Sequence, residues 1–325
     1  MTLARLLCAA QAVLALACAA APTGDPAETR VSAALRVRAP ELAGPLTDTL
    51  PDPGGRPQGA LKEGVFARIN RDRVLASLLP VAWDEAASQV ADAFCEQQVR
   101  EASRGHFLMD GVPPYARTAF AGVFGAQSEN SVSWVTSASS FTETPLQLAL
   151  AGHKEMMGEK PPQDGHRRTI LDPDATHVGV GYASANGRFQ MAQEFLTREL
   201  GRLTLSRRDS SRVILRFEGR PVPNSRLQFV TIAREPPPTA LTREQASART
   251  SYSYPLPWLA YVPEGNTAIR VSGTETRDRL RVLSNLEFSF AFAPDRPGLY
   301  TFTFYTTIRP SEPSRPGATA TVWIE

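Results

Sequence analysis

All four histidines of this 325-residue chain, His106, His153, His166 and His177, fall between residues 100 and 180. His166 and His177 share one stretch, PPQDGHRRTILDPDATHVGVGYA (161–183). Imidazole changes charge near neutrality and is the commonest ligand of borderline cations. A cluster of imidazoles with carboxylates nearby therefore points to one of three arrangements. It could hold a divalent metal such as zinc, act as acid and base on a bound molecule, or lock itself into a buried polar network. Nucleophilic catalysis has little support, because no Gly-x-Ser-x-Gly elbow is present. Cys95 sits on an apolar helical stripe and reads as a small core residue. A His-Glu-x-x-His zinc motif is also absent, since HKEMMGE (153–159) has no second histidine.

The elements around these residues follow from hydrophobic period. From Glu63 the pattern predicts one helix, a short link and a second helix, in which Ala87, Val90, Ala91, Phe94, Cys95 and Val99 mark the buried face. Asp84 stands where an N-cap belongs, and Trp83 and Phe94 read as core. Residues 111–144 read as loop-rich, with an apolar patch at 120–124. TPLQLALAGHKEMMGE (144–159) predicts a third helix with Leu146, Leu150, His153 and Met157 on one stripe, stopped by Pro161-Pro162. On that stripe His153 is either a satisfied core histidine or a residue of a cleft. THVGVGYAS and RFQMAQEFL, joined through Ala185-Asn186-Gly187, predict a β-hairpin with a type I′ turn. His177 opens its first strand and reads as a strand-edge residue. Arg167 and Arg168 read as a solvated turn, one of them pairing with Asp164 or Asp172.

After residue 200 the pattern changes to short alternating strands such as RVILRFEG, LEFSFAFAP and GLYTFTFYTT, separated by Pro and Gly. This half holds no histidine or cysteine, and it reads as an antiparallel sandwich of immunoglobulin-like type serving as spacer or adhesion surface. The expected fold class is α+β, with residues 61–200 as one domain and 201–325 as an all-β second. Residues 201–325 carry 17 Arg against 11 acids, too diffuse a charge for nucleic-acid binding.

At the other end, MTLARLLCAAQAVLALACAAAP has one positive charge and an apolar run ending in small residues, which predicts a signal peptide over 1–21. ALAC, ending at Cys18, is a degenerate lipoprotein box. Lipid attachment at Cys18 and ordinary cleavage after Ala21 therefore compete, and an anchor there would be the only membrane contact. Residues 22–60, rich in Pro, Ala, Gly, Asp and Thr, read as a flexible tether. Export leaves Cys95 as the only internal cysteine, so the fold must rest on its core without disulfides. The protein is expected outside the cytoplasm.

Taken in order, Asn70-x-x-Arg73, Pro80-x-x-Trp83-Asp84, His106, Glu129-Asn130, Gly165-His166-Arg167 and Val178-Gly-Val-Gly181 resemble the bacterial branch of the CAP superfamily, over about residues 63–198. That superfamily holds the cysteine-rich secretory, antigen 5 and pathogenesis-related proteins. The resemblance implies an α-β-α sandwich in which His106 and His166 are the two cleft histidines and Glu129 is the glutamate of the Glu-Asn pair. A second glutamate usually follows a tryptophan by three residues on the third helix. Here His153 and Met156 hold those places. Glu155 and Glu159 are the acids left to complete the site, each turned by about 100° or more from the expected direction if helical. The resemblance implies binding of a lipid, sterol, polysaccharide or protein, with His106 and His166 as candidate ligands of a divalent metal, more readily than turnover. A metal-assisted envelope hydrolase with Glu129 as general base is the alternative. A surface scaffold without a small-molecule site is the third.

Overall fold

The computed structural model describes residues 55–209, 213–266, 268–309 and 312–325, together with the backbone of Val37–Arg38. The expected signal segment, Cys18 and the tether up to residue 54, apart from those two, lie outside the described residues. Val37–Arg38 form a strand, β1, paired antiparallel with Trp323 and Ile324 at the chain's end.

Ten elements build the first half in the sequence order β1, α1 (Ala60–Leu75), β2 (Ala82–Trp83), α2 (Glu85–Glu101), α3 (Pro114–Phe120), β3 (Ala126–Val135), α4 (Pro145–Gly158), α5 (Gly165–Ile170), β4 (His177–Ala185) and β5 (Arg188–Thr197). Four of the strands make one sheet in the order β2-β4-β5-β3, which leaves β3 at an edge. Helix α2 starts where its cap predicts, with the Asp84 side chain accepting from the Ala87 N–H at 2.8 Å. The β4–β5 turn is type I′ as expected: Asn186 and Gly187 have φ of 53° and 68°.

Side-chain parity sorts the sheet's faces. Val178, Val180, Phe189, Met191 and Phe195 pack with α1 and α4 in one core. Ala192 and Leu196 pack with Ala87, Ala91, Phe94 and Cys95 of α2 on the other face. Between the Val pair, Gly179 and Gly181 admit the α2 backbone directly. A Cβ on Gly181 would lie 2.1 Å from the Asp92 nitrogen, and one on Gly179 2.2 Å from that of Ser88. Helices on both faces of this sheet give the α-β-α layering.

The remaining strands are β6 (Leu200–Asp209), β7 (Val213–Pro221), β8 (Arg226–Glu235), β9 (Pro257–Pro263), β10 (Glu275–Val282), β11 (Phe288–Phe292), β12 (Gly298–Thr307) and β13 (Arg315–Ile324), with a short helix α6 (Arg243–Ala248) between β8 and β9. With β1 they form one continuous hydrogen-bonded run, β1-β13-β12-β8-β9-β10-β11-β7-β6. The run folds over on itself: the Phe217 ring of β7 lies 4.4 Å from that of Phe302 on β12. This half is a β-sandwich close to a barrel, closed around phenylalanines of β7, β11 and β12.

Two departures from the sequence pattern matter for function. The stretch read as loop-rich contains α3 and the ten-residue strand β3. Strand β3 escapes the period-two test because Gln127, Glu129 and Asn130 are buried through hydrogen bonds instead of apolar contact. The two halves are also interlocked. Val112, Tyr115 and Ala116 share a cluster with Leu299, Tyr252, Tyr254 and Trp323.

Candidate functional site

A cavity of about 1010 Å³ opens over the edge strand β3. Cross-strand pairing places Glu129 opposite Glu194 and Asn130 opposite Gln193, so consecutive residues point to opposite faces of the sheet. Ser128, Glu129 and Asn130 all line the cavity, as do His106 and His166. The two imidazoles expected to share a cleft therefore do share one.

His106 lies in the loop after α2, which turns out of the helix at Ala102 with φ of 52°. Its Nδ1 is 2.8 Å from Glu129 Oε1. The other carboxylate oxygen accepts from Arg117 of α3, whose guanidinium lies 3.9 Å over the Phe94 ring. Both oxygens of Glu129 are thus engaged, and its side chain is fully buried. Behind it Glu194, the cross-strand neighbour of Glu129, accepts from Gln127 Nε2 at 2.6 Å. Burial, and then the charge of Glu129, push the Glu194 carboxyl well up. Burial pushes Glu129 up as well, but Arg117 opposes it. One proton between the two belongs on Glu194, leaving the negative charge where Arg117 matches it. Burial, and then Arg117, hold His106 down to about 4, so its ring is neutral at pH 7 and Nδ1–H donates to Glu129.

His166 stands in the first turn of α5, its Nδ1 bonded to Glu159 Oε1. Glu159 Oε2 also accepts from the His166 backbone N–H at 3.0 Å. Glu155 is exposed on α4 and does not line the cavity, so the expectation for it is corrected in favour of Glu159. The physical reason is that α4 ends at Gly158. Glu159 is its C-cap with extended backbone (φ −57°, ψ 150°), free of the helical direction that turned it away.

His153 is a fully buried core histidine. Its Nε2 lies 2.9 Å from Asp72 Oδ2 and its Nδ1 3.1 Å from Gln193 Nε2. His177 takes a 2.8 Å contact from Thr176 Oγ1 to its Nδ1, stays outside the cavity, and is held down to about 4 by burial and then Arg198. Arg168 pairs with Asp164 at 3.2 Å, and both Arg167 and Arg168 line the cavity. Cys95 is buried and its thiol is pushed well up by burial.

The support behind α5 comes from the Asn70-x-x-Arg73 pair. Asn70 brackets Val81 with two hydrogen bonds, 2.8 and 3.0 Å. Arg73, fully buried, donates to the carbonyls of Leu79, Ile170, Asp172 and Ala175. That pins the segment leading from α5 to β4. Asn130 Nδ2 adds a 3.1 Å bond to the His166 carbonyl.

The sequence of residues 66–197 matches the profile of the CAP family, cysteine-rich secretory proteins. Residues 66–197 are a CAP domain. Among curated proteins none matches the chain. Solved structures similar in part include an extracellular protein containing an SCP domain from Bacillus anthracis, at 19% identity over 44% of this chain and 45% of that one, TM-score 0.33. An outer surface protein from Borrelia burgdorferi aligns at 15% identity over 42% of this chain and 95% of its own, TM-score 0.34. The match spans under half of the Bacillus protein.

The donors of the CAP domain's cleft are largely engaged with one another. Nδ1 of each cavity histidine is bonded to a glutamate, the way a metal-ligating imidazole is commonly oriented, and Nε2 of each ring is the nitrogen left for a ligand. The Arg117 charge lies against the carboxylate that would complete the set. Among the described residues no three His, Cys, Asp or Glu side chains converge to hold an ion.

Arg117, Glu159 as a partner of His166, Glu194 and residues 250–252 escaped the sequence reading of this site. Glu194 had a signal: parity puts it on the same face as Ala192 and Leu196, so an acid there must be buried and paired. Thr250, Ser251 and Tyr252 line the cavity from the β-rich half and had none.

Proposed function

We propose that this is an exported CAP-domain protein whose cleft binds a polar, extended ligand, a cell-envelope glycan, without a metal. One observation carries the reading: His106 and His166, sixty residues apart in sequence, line a single cavity of about 1010 Å³ whose walls mix polar groups with apolar surface. Asn130, Gln163, Thr169, Thr250 and Ser251 supply amides and hydroxyls there, beside the apolar surface of Leu171, Pro173 and the Tyr252 ring. A lipid or sterol would strand those polar groups without partners, at about 1–3 kcal/mol each. A glycan satisfies them. Export is supported by the apolar leader read from residues 1–21 and by a family described as secretory. Among the described residues no helix is long and apolar enough to cross a membrane.

The test is retention of the full chain by purified peptidoglycan, with vesicles of phosphatidylglycerol as the comparison. Wild type is expected to bind the glycan and not the vesicles. The double variant His106→Ala/His166→Ala is expected to lose at least tenfold in affinity while remaining folded. Binding to vesicles alone, or equal binding by the variant, would overturn the reading.

Hydrolysis is the second reading, and one feature favours it. His106 is neutral at pH 7 and oriented through Nδ1 by a buried carboxylate, as a general base requires. Release of soluble fragments from the same glycan, lost with His106→Ala, separates turnover from binding.

A further inference from the structure

Strand β3 is the edge of its sheet, so alternate N–H and C=O groups along it have no strand to pair with. The β-rich half supplies the partners, as side-chain hydroxyls. Thr319 Oγ1 donates to the Gly125 carbonyl at 2.7 Å. Tyr254 OH accepts from the Gln127 N–H at 2.8 Å and lies 3.1 Å from the Gln127 carbonyl. Tyr252 OH accepts from the Glu129 N–H at 2.6 Å and donates to Gln127 Oε1 at 3.0 Å. Positions 252 and 254 thus meet 129 and 127, one two-residue step on each chain. These hydroxyls stand where a neighbouring strand would.

The segment carrying the tyrosines is laid closely against the His106 loop. The His106 N–H donates to the Arg249 carbonyl at 3.4 Å, and the Leu241 N–H to the Met109 carbonyl at 2.7 Å. Gly111, at φ 74°, leaves room for the Thr239 carbonyl, which a Cβ there would approach to 2.2 Å. The Tyr252 ring meets His106 edge-on at 5.1 Å. Tyr254 instead stacks on Tyr115 at 4.6 Å and does not line the cavity.

We propose that Tyr252 is a positioning residue of the cleft and that Thr250, Ser251 and Tyr252 form its wall, so that a ligand held by His106 and His166 also rests on the β-rich half. The ligand contact rests on the glycan-binding reading above. The positioning of Glu129 does not. Tyr252 fixes the backbone of the residue whose carboxylate orients His106, and its ring closes the space beside that imidazole. Tyr254 makes the same kind of bond one step along the edge, away from the cavity, and is the internal control.

The experiment uses the full chain and four proteins: wild type, Tyr252→Phe, Tyr254→Phe and Ser251→Trp. Amide hydrogen exchange at Gln127 and Glu129 is followed by NMR, and affinity for purified peptidoglycan is measured alongside. Tyr252→Phe is expected to speed exchange at Glu129 roughly tenfold, as loss of one hydrogen bond allows, and to weaken glycan binding at least fivefold. Tyr254→Phe is expected to speed exchange at Gln127 and leave binding unchanged. Ser251→Trp is expected to leave both amides unchanged and obstruct binding. Unchanged exchange at Glu129 in Tyr252→Phe overturns the positioning role, as does equal loss of binding in the two tyrosine variants. Undiminished binding by Ser251→Trp overturns the wall. If wild type fails to bind peptidoglycan, the glycan reading and the wall fall together, while the exchange data still decide the positioning of Glu129.

Discussion

Replacing Arg117 by Met isolates the electrostatics at the centre of the cleft. The methionine stem keeps a side chain over Phe94, where the guanidinium lies at 3.9 Å, and removes the cation together with its 3.4 Å bond to the His106 carbonyl. Glu129 is fully buried and would keep the His106 Nδ1 bond of 2.8 Å, but its charge would face Glu194 uncompensated. Stranding a buried charge costs about 3–5 kcal/mol. Glu129 has an escape, which is to take a proton. Relative to an unfolded glutamate at 4.5, that costs about 1.4 kcal/mol per pH unit, so roughly 3 kcal/mol at pH 7. The protonation route sets the ceiling. The sign follows from linkage: the variant's Glu129 has a folded pKa raised above the unfolded value. Its contribution is intact below about 4.5 and lost as pH rises through the folded value. Urea unfolding at pH 5, 6 and 7, read by tryptophan fluorescence, is therefore expected to show a destabilisation relative to wild type that grows with pH and stays below about 3 kcal/mol at pH 7, because burial already raises Glu129 in the wild type. The double variant Arg117→Met/Glu129→Gln is expected to lose that slope. A loss of the same size at all three pH values would place the role of Arg117 in its packing on Phe94 and refute the charge argument.

Two other perturbations test the frame around the site. Gly181→Ala sets a Cβ 2.1 Å from a helix backbone nitrogen that cannot yield without lifting α2, so a loss of about 3 kcal/mol or more is expected by urea unfolding. Gly158→Ala, a helical position with nothing within 4 Å, is expected to be neutral or to gain up to about 1 kcal/mol. Glu194→Gln removes a buried acid whose folded pKa is raised, a penalty absent below about 4.5 and growing as pH rises. The variant is expected to match wild type near pH 5 and to exceed it in stability by about 1 kcal/mol or more at pH 8.

Much of the CAP domain was legible because its signals are local. Asp84 caps one helix, Asn186-Gly187 dictates one turn, and Gly179 and Gly181 mark where a helix touches a strand. His106 and Glu129 were reachable only through the ordered resemblance, since strand β3 buries polar groups and hides its period. The acid partner of His166 was weighed as Glu155 or Glu159, and the structure favours Glu159. Projecting Glu155 and Glu159 onto a continuous helix assumed that the helix ran on, and it stops one residue before the glutamate that matters. Arg117 gave no warning, because its worth depends on Phe94 and Glu129 arriving from elsewhere in the chain.

The change of pattern at residue 200 marks a change of strand type and not an end to mutual dependence. Strands β5 and β6 are separated by two residues, Arg198 and Glu199, and both are buried in paired positions. Arg198 reaches back to Asp84 at 2.5 Å, while Glu199 holds Arg315 at 2.9 Å and accepts from Thr306. Phe124 of the first half packs in the same core as Leu203 and Phe217 of the second. Cutting the chain here would leave buried ions without partners on both sides and strip the hydroxyls from the edge of β3. The strand that bears Glu129 is finished by residues more than 120 positions downstream, so the chemistry of the cleft and the folding of the β-rich half are one problem.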